Sequence, residues 1–495
     1  MESGDRKVQY ITTFCVSIAS LTVGVITAWS TPVLMKLHNN ETDISITDRE
    51  ISWMLAMNEP GFMSGSLATR FVCDRLGRRA TLLASALPYV VGAVFALSAV
   101  QGWMLCLSQF LWGSGTGMIG TVVPIYLAEI ADKDIRGTLS LSTRVMFSLG
   151  SLMMMAIGSF VSYYVINCLL LVLPVGYFCA CLWIPESPYY HLKEGRVGAA
   201  RKELGRLKGF RNAKTLDEEL ASLQANVQNE MKRSSSVWEL FTGPQYRKAI
   251  VIAAGLKMAQ IMSGAKTIQQ YLGRIVQESR VRLPLPTVLI VFGLVRFVVG
   301  LMSTMLVDRF GRKPFLYNSF FGTGLFLALV GTYFFLKEVI KIEDTFLSHI
   351  AFIPFAGIVI SNVISTLGYI SLIFVIPAEI FPINVKAVAM TSLNIFGGIV
   401  GFITTLSYQT IKDVTGLYGV FWIFAGVTFF GALFVILFVP ETKGKSLQEI
   451  QVLLQGNLGK DVDETEELHK ERNGAVCASI DGTELQVLND KVNNV

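Results

Sequence analysis

The chain has 495 residues, of which 52% are hydrophobic and only 16% charged, and its mean hydropathy is +0.51. Soluble domains carry about 25% charged residues, so this composition excludes a soluble globular protein and indicates a chain that crosses a membrane many times. The net charge of +5 indicates basic loops that face the cytoplasm rather than a nucleic-acid partner.

Apolar stretches of spanning length follow one another along the chain, each close to the ~20 residues that cross a bilayer as a helix. The first is too long for a signal-peptide core and lacks a small-residue cleavage site, so we interpret it as a span. A polar stretch separates six such segments from six more. The predicted spans 1–12 are residues 8–34, 51–71, 80–100, 103–127, 138–161, 164–184, 248–272, 286–307, 315–336, 349–378, 387–411 and 417–439.

Lysine and arginine concentrate in alternate loops between these spans. By the positive-inside rule the basic loops and both termini are cytoplasmic, in what we expect to be the plasma membrane. The loop after span 1 is then extracellular. It contains Asn40-Glu41-Thr42, an acceptor sequence that predicts glycosylation at Asn40.

The polar segments complete the predicted organisation. Leucines recur at helical spacing in residues 185–247, which predicts short amphipathic helices on the inner membrane face. We therefore predict an all-α membrane protein with a six-helix bundle over 1–184, a cytoplasmic linker over 185–247, a second six-helix bundle over 248–445, and a partly disordered cytoplasmic tail over 446–495.

Charged motifs occur twice, at matching places in the two halves. Asp74-Arg-Leu-Gly-Arg-Arg79 recurs as Asp308-Arg-Phe-Gly-Arg-Lys313, and Glu129 at the end of span 4 recurs as Glu379 at the end of span 10. An internal repeat in this order indicates two copies of one membrane unit. Paired repeats are typical of transporters that rock one half against the other.

Carboxylates and guanidinium groups at helix ends on one membrane face can form bidentate, charge-assisted hydrogen bonds. A single copy would be explained by topology anchoring alone, but two copies, each with its glutamate, favour a cytoplasmic gate whose latches favour the outward-open form. The predicted gate residues are Asp74, Arg78, Arg79, Glu129, Arg136, Asp308, Arg312, Lys313, Glu379 and Lys386.

Together with Pro185-Glu186-Ser187-Pro188 and Pro440-Glu441-Thr442, these motifs resemble the sugar porter family of the major facilitator superfamily, and the arthropod trehalose and hexose facilitators most of all. The resemblance covers nearly the whole chain. It implies twelve helices in two six-helix bundles around a central cavity, and facilitated, alternating-access transport of a sugar of the trehalose or hexose class. The expected partners are that solute and the lipid bilayer, without nucleic acid. The residues offer no nucleotide loop, nucleophile triad or metal-ligand cluster, so we expect neither a cofactor nor an enzyme.

The family binds sugar largely through amides in spans 5, 7, 8 and 11 and a tryptophan in span 10, and amides suit a sugar because they both donate and accept hydrogen bonds. At the matching positions this chain keeps a glutamine and a serine in span 7 but carries cations elsewhere, and span 10 lacks the family's tryptophan. The candidate solute-binding residues are Gln260, Ser263, Lys266, Arg144, Arg296 and Phe374.

A charge in mid-membrane costs about 2.5–3.5 kcal/mol on insertion scales, so it faces a cavity or a partner. The cations therefore indicate either a cavity that contacts an anionic solute or structural pairs, for example with Glu59, the one carboxylate well inside a span. A solute sensor on a transporter fold is the other alternative. The duplicated latches argue against a sensor, because latches matter only if the halves move.

Two further patterns bear on mechanism. Proton-coupled relatives place an acid in span 1 opposite an arginine in span 4, whereas Val25 and Gln109 stand near those places here, so we expect transport that is not proton-driven. Span 4 contains Gly113-x-Gly115-x-Gly117-x-x-Gly120, which imitates a dinucleotide fingerprint. Without a surrounding strand, small residues in a membrane helix indicate close helix packing instead.

Overall fold

The computed structural model describes residues 6–39, 42, 44–132, 134–209, 213–232, 237–243, 246–279, 283–306, 311–381, 383–443 and 449–450. Helices make up nearly all of this part of the chain. The predicted glycosylation site Asn40 lies outside the described residues.

The first half contains six spans. Four are continuous helices, and two are interrupted at a single residue. Spans 1, 4, 5 and 6 are Lys7–His38, Gly102–Ile130, Arg136–Gly158 and Tyr163–Cys181. Span 2 is formed by Asp48–Ala56 and Asn58–Leu76, and span 3 by Arg78–Ala84 and Ala86–Leu97.

The second half repeats this plan with more interruptions. Spans 7 and 10 are each split in two, and spans 11 and 12 lie in one helical stretch whose backbone leaves the helical conformation at Gly416 (φ 75°), a value that glycine adopts readily. Span 7 is Arg247–Met262 and Ala265–Glu278, span 8 is Leu285–Leu306, and span 9 is Arg312–Phe335, continued by a wider turn over Leu336–Ile340. Span 10 is Ile353–Leu367 and Tyr369–Ile380, preceded by the short helix Asp344–Ile350, and spans 11 and 12 share Ile383–Phe438.

Four short helices lie between spans 6 and 7: Pro188–Lys193, Val197–Lys208, Ala213–Lys232 and Val237–Thr242. The second of them is fixed to the first half by an ion pair of 3.0 Å between Lys208 and Asp132, which follows span 4, whereas Leu240 of the fourth is buried in the core of the second half. We call the side of the molecule that carries these helices the linker side, and the opposite side the far side.

Nine helices among the described residues are long and apolar enough to cross a membrane, and the last of them covers both span 11 and span 12. Spans 2 and 7 are not among the nine. Both are interrupted and polar: span 2 carries Asn58 and Glu59, and span 7 carries Lys257, Gln260 and Lys266. The twelve-span fold predicted from the sequence is confirmed, and spans 2 and 7 miss the apolar criterion because of these polar side chains.

Glycines bring spans 2 and 4 into direct backbone contact. A Cβ atom added at Gly65 would meet the carbonyl oxygen of Ser114 at 1.9 Å, and one added at Gly113 would meet that of Asn58 at 2.2 Å. Close approach through small residues is a common packing mode of membrane helices. The glycine repeat of span 4 therefore serves helix packing, as the sequence predicted.

Candidate solute-binding and gating sites

The break in span 7 lies at Ser263 and Gly264. Gly264 has a φ of +74°, and a Cβ atom there would meet the ring of Phe424 at 2.3 Å, so both backbone conformation and space require glycine. Backbone groups released by such a break must find other partners inside a membrane protein. The Ser263 hydroxyl donates to the carbonyl oxygen of Gln260 at 2.6 Å and accepts from the Tyr369 hydroxyl at 3.1 Å.

Span 10 breaks at Gly368, directly opposite span 9. A Cβ atom at Gly368 would meet Cβ of Ser319 at 2.0 Å. The backbone N–H of Tyr369 donates to the Ser319 hydroxyl at 3.0 Å, and the Ser371 hydroxyl donates to the carbonyl oxygen of Thr366 at 2.8 Å. The breaks in spans 7 and 10 are therefore joined through Tyr369, which bonds at one end to Ser263 and at the other to Ser319.

Lys266 lies just beyond the break of span 7 and forms an ion pair with Glu59 of span 2. Its ammonium group also donates to the side-chain oxygen of Asn58 at 3.4 Å. The Lys266 side chain is 44% exposed, and that of Glu59 is 13% exposed. Since Glu59 belongs to the first half and Lys266 to the second, this pair joins the two halves.

The two intramembrane arginines have neutral partners. Arg144 of span 5 donates to the Ser371 hydroxyl at 2.9 Å, and Arg296 of span 8 donates to the side-chain oxygen of Gln269. Neither forms an ion pair with a residue in the described part of the chain. Their positive charges are therefore oriented by hydrogen bonds but not neutralised by a carboxylate there.

Three glutamines of span 7 carry buried amide atoms that have no hydrogen-bond partner among the described residues: Oε1 of Gln260, Nε2 of Gln269 and Oε1 of Gln270. A buried polar atom left unpaired costs about 1–3 kcal/mol. Gln260 was a candidate from the sequence, whereas the adjacent Gln269 and Gln270 were not. Their signal was available in the sequence, since two successive amides inside a predicted span are unusual for a helix that faces lipid.

Two solute-binding candidates remain, Ser263 and Phe374. Ser263 is buried against Tyr369, on the side of span 7 that faces spans 9 and 10. The side chain of Phe374 lies outside the described residues.

On the linker side, the first charged motif forms a compact cluster. The guanidinium group of Arg78 binds the Glu129 carboxylate in a bidentate manner, with Nε–Oε2 at 2.9 Å and Nη2–Oε1 at 2.8 Å, and these side chains are only 5% and 10% exposed. Glu186 accepts hydrogen bonds from the backbone N–H groups of Arg78 and Arg79 at 2.9 and 3.1 Å. The ring of Tyr190 lies 5.4 Å from the Arg78 guanidinium carbon.

The second charged motif repeats the arrangement. Arg312 and Glu379 form an ion pair of 3.5 Å, and Glu441 accepts from the backbone N–H groups of Arg312 and Lys313 at 2.9 and 3.1 Å. The Thr442 hydroxyl donates to Glu379 at 2.7 Å. Each cluster therefore ties together spans of its own half rather than the two halves. Asp308 lies outside the described residues.

The other predicted gate residues have separate contacts. Asp74 forms an ion pair of 2.8 Å with Lys193 of the first linker helix, and Arg136 donates to the carbonyl oxygen of Ala128 at 2.7 Å. Lys386 lies partly buried near the start of span 11. The side chains of Arg79 and Lys313 extend the symmetry of the two motifs. They donate to the backbone carbonyl oxygens of Leu182, directly after span 6, and Ile436 in span 12.

The two halves are also joined near the far side. The second part of span 7 contacts spans 1 and 2 there. The Thr31 hydroxyl donates to the carbonyl oxygen of Gln269 at 3.0 Å, and the hydroxyls of Ser52 and Tyr271 are hydrogen-bonded at 3.2 Å. Asp48 and Arg274 form an ion pair of 2.9 Å. The structure therefore represents a form in which the halves meet at the far side while the charge clusters of the linker side are assembled.

The family model described as "Sugar (and other) transporter" matches residues 6–454. Among curated proteins, a facilitated trehalose transporter homologue of Drosophila sechellia is 30% identical over 458 residues, which cover 91% of both chains. A facilitated trehalose transporter of Bombyx mori is 28% identical over 446 residues, covering 90% of this chain and 86% of that one. The chain spans about half the length of other curated relatives that it matches, such as the Drosophila willistoni facilitated trehalose transporter, of which 51% is covered at 28% identity.

Among solved structures, the inward-open conformation of the E. coli xylose transporter XylE superimposes with a TM-score of 0.71, covering 90% of this chain and 99% of that one. A partially occluded, inward-open conformation of the same transporter gives 0.70. Sequence identity is 18% and 17%, so these likenesses establish the fold alone.

Proposed function

This chain belongs to the sugar (and other) transporter family, and we propose that it carries trehalose or a hexose across a membrane by facilitated, alternating-access transport. Family membership makes it an integral membrane transporter rather than an enzyme. The sugar itself is proposed from the names of the relatives, which are facilitated trehalose transporters.

The unpaired amide atoms of span 7 carry this proposal. Gln260 and Gln270 each leave a buried carbonyl oxygen free, and Gln269 leaves a buried N–H group free, among the described residues. A sugar hydroxyl both donates and accepts, so it can satisfy such atoms where an apolar ligand cannot. We propose that Gln260, the glutamine kept from the family's amide set, acts with Gln269 and Gln270, and that the last two replace part of the amides at the positions where this chain has cations.

The interrupted helices support alternating access. The second part of span 7 holds the halves together at the far side, and it begins at a glycine whose backbone conformation permits a hinge. We propose that the Glu59–Lys266 pair and the Asp48–Arg274 pair open when the far side opens. The charge clusters around Glu129 and Glu379 would keep each half rigid as it turns.

We propose that the linker side is cytoplasmic, because the basic loops lie there. The residues 1–184 and 248–445 then form the two moving bundles, and 185–247 and 446–495 the cytoplasmic linker and tail. The form described here would be inward-facing. Glycosylation at Asn40 follows from the same orientation.

A second candidate is an anionic solute, favoured by one observation. Arg144 and Arg296 are held by neutral partners, which leaves their charge available to a ligand. A fixed cation in a cavity of reduced dielectric attracts an anion more strongly than in water. Lys266 is a weaker candidate for this role, because Glu59 already binds it.

Uptake into proteoliposomes distinguishes these candidates. We expect saturable uptake of labelled trehalose or glucose by the purified protein, and about 3- to 10-fold lower uptake by Gln270→Leu and Gln260→Leu, since one hydrogen bond contributes about 0.5–1.5 kcal/mol. Gln228→Leu, in an exposed part of a linker helix, is the matched control and should transport normally.

Uptake of gluconate but of no neutral sugar, abolished in Arg144→Gln, would show that the solute is an anion and not a sugar. Solute binding without uptake would indicate a sensor.

A further inference from the structure

A groove of about 690 Å³ runs along the outer surface of the second half, between the first part of span 7 and span 12. Its walls are apolar. Residues that line it include Val251, Gly255, Met258, Phe430, Phe434 and Phe438. Phe430 is 59% exposed and Phe438 54% exposed, so the groove opens toward the surrounding lipid.

Two glycines shape the groove. A Cβ atom at Gly255 would meet the Phe434 ring at 2.3 Å, so the glycine lets that ring approach span 7 closely. A Cβ atom at Gly426 would meet nothing within 4 Å, which makes Gly426 an open part of the wall. From Ile423 to Phe438 the groove is roughly 22 Å long at 1.5 Å per residue, longer than the ~15 Å of one leaflet's hydrocarbon. An extended acyl chain therefore fits along it.

Positive charge stands at the linker-side end of the groove. Arg247 precedes Val251 by four residues and so lies on the same face of span 7, with Lys248 beside it. Both are exposed, and neither forms an ion pair or hydrogen bond within the described part of the chain. Trp238 and Phe241, on the helix just before span 7, are 76% and 53% exposed, as expected of aromatic side chains at a membrane–water interface.

We propose that this groove binds one anionic phospholipid of the leaflet on the linker side, with an acyl chain along Phe430 and Phe438 and the phosphate against Arg247 and Lys248. The apolar wall explains why the ligand is a lipid. The two exposed cations, four and three residues before Val251 in the wall, explain why the lipid is anionic, since each lysine or arginine near an anionic membrane surface contributes about 1 kcal/mol.

Native mass spectrometry of the purified full-length protein tests the proposal, with phosphatidylglycerol and phosphatidylcholine of identical acyl chains as the probes. We expect one phosphatidylglycerol to be retained more tightly than phosphatidylcholine. Arg247→Gln/Lys248→Gln should lose that preference by roughly 25-fold, the factor for two such charges. Lys202→Gln/Lys214→Gln, which removes two exposed linker lysines, is the matched control and should retain it.

The groove is tested with a second pair of variants. Gly426→Phe should fill the groove and weaken retention of both lipids, whereas Gly176→Phe, at a glycine of span 6 with nothing within 4 Å, should not. Thermal unfolding of each variant confirms that it is folded. Equal retention of the two lipids by the unmodified protein, unchanged preference in Arg247→Gln/Lys248→Gln, or unchanged retention in Gly426→Phe would each overturn the proposal.

Discussion

A charge inside a membrane protein needs a partner or a cavity, and the candidate cations of this chain have partners of two kinds. Lys266 is paired with Glu59, whereas Arg144 and Arg296 bind neutral oxygens. The sequence identified all four residues, and it offered Glu59 as a structural partner without specifying which cation would bind it. The partner could not be predicted because Glu59 and Lys266 are 207 positions apart and meet only when the two halves are packed.

Removing one member of the Glu59–Lys266 pair should destabilise the protein more than removing both. We expect Lys266→Ala to cost about 1–2 kcal/mol, less than the 3–5 kcal/mol typical of fully buried pairs, because Lys266 is 44% exposed. Glu59→Ala/Lys266→Ala should recover part of that loss. Thermal unfolding of the two single variants and the double variant measures the coupling. Arg201→Ala, which breaks an exposed ion pair with Asp217, is the control and should cost close to nothing. Strictly additive losses at Glu59 and Lys266 would contradict a direct pair.

Two repeat-related glutamates should respond oppositely to pH. Burial raises the pKa of Glu186 even though backbone N–H groups of Ser187, Arg79 and Arg78 oppose the shift. Burial also acts on Glu441, but hydrogen bonds from Lys443, Arg312 and neighbouring N–H groups prevail and lower its pKa. The ordinary value is 4.5 for both.

The direction of each pH dependence follows from the number of protons that the glutamate binds in the folded and the unfolded state. Between pH 4.5 and its raised folded pKa, Glu186 holds more protons in the folded state, so its contribution to the free energy of unfolding falls as pH rises through that window. Glu441 holds fewer protons when folded, so its contribution falls as pH drops from 4.5 toward its folded pKa. The unfolding temperature of the unmodified protein minus that of Glu186→Gln should therefore decline as pH rises above 4.5. The unfolding temperature of the unmodified protein minus that of Glu441→Gln should decline as pH falls below 4.5. Parallel pH profiles for the two variants would contradict this asymmetry.

The helices themselves were largely predictable, and their interruptions were not. Apolar length located twelve spans within a few residues, for example 8–34 against the observed Lys7–His38. Hydropathy carries no information on backbone angles, so the breaks at Gly264 and Gly368 were missed. Gln269 and Gln270 lie on the short helix that follows the first break; their two successive amides were visible in the sequence, but their unpaired buried atoms are seen only in the structure. By contrast, the glycines of span 4 were correctly interpreted as packing positions, because a residue without a side chain lets a neighbouring helix approach wherever it stands in the sequence.

The packing of spans 2 and 4 should depend on single methyl groups. Gly113→Ala places a Cβ atom 2.2 Å from the carbonyl oxygen of Asn58, and we expect it to cost about 1–3 kcal/mol through overpacking. Gly176→Ala has open space around its Cβ atom and should be neutral or slightly stabilising, since alanine is the better helix former. Thermal unfolding in detergent compares the two variants directly. Equal unfolding temperatures would mean that spans 2 and 4 are not in backbone contact.

The molecule as a whole combines a charge cluster within each half with polar contacts between the halves at the far side. The sequence predicts that the clusters favour a form open at the far side, and that preference stays a prediction. Both clusters are formed while spans 1 and 2 contact the second part of span 7. The reason is that each cluster joins spans of one half, as Arg78 and Glu129 do, so its formation does not depend on how the halves are oriented. A sequence repeat reveals that two such clusters exist, but the orientation of the halves depends on contacts between distant segments.

Entrance counterflow in proteoliposomes tests the central claim, that the protein is a sugar carrier with alternating access. Vesicles are loaded with unlabelled trehalose or glucose and diluted into labelled sugar, and the internal label is followed with time. We predict a transient in which internal label exceeds its equilibrium level, unchanged by a proton ionophore, because Val25 and Gln109 occupy the places of the proton-coupling pair. The transient should disappear in vesicles loaded with buffer alone. Label that rises only to equilibrium in sugar-loaded vesicles, or does not enter at all, would contradict the account.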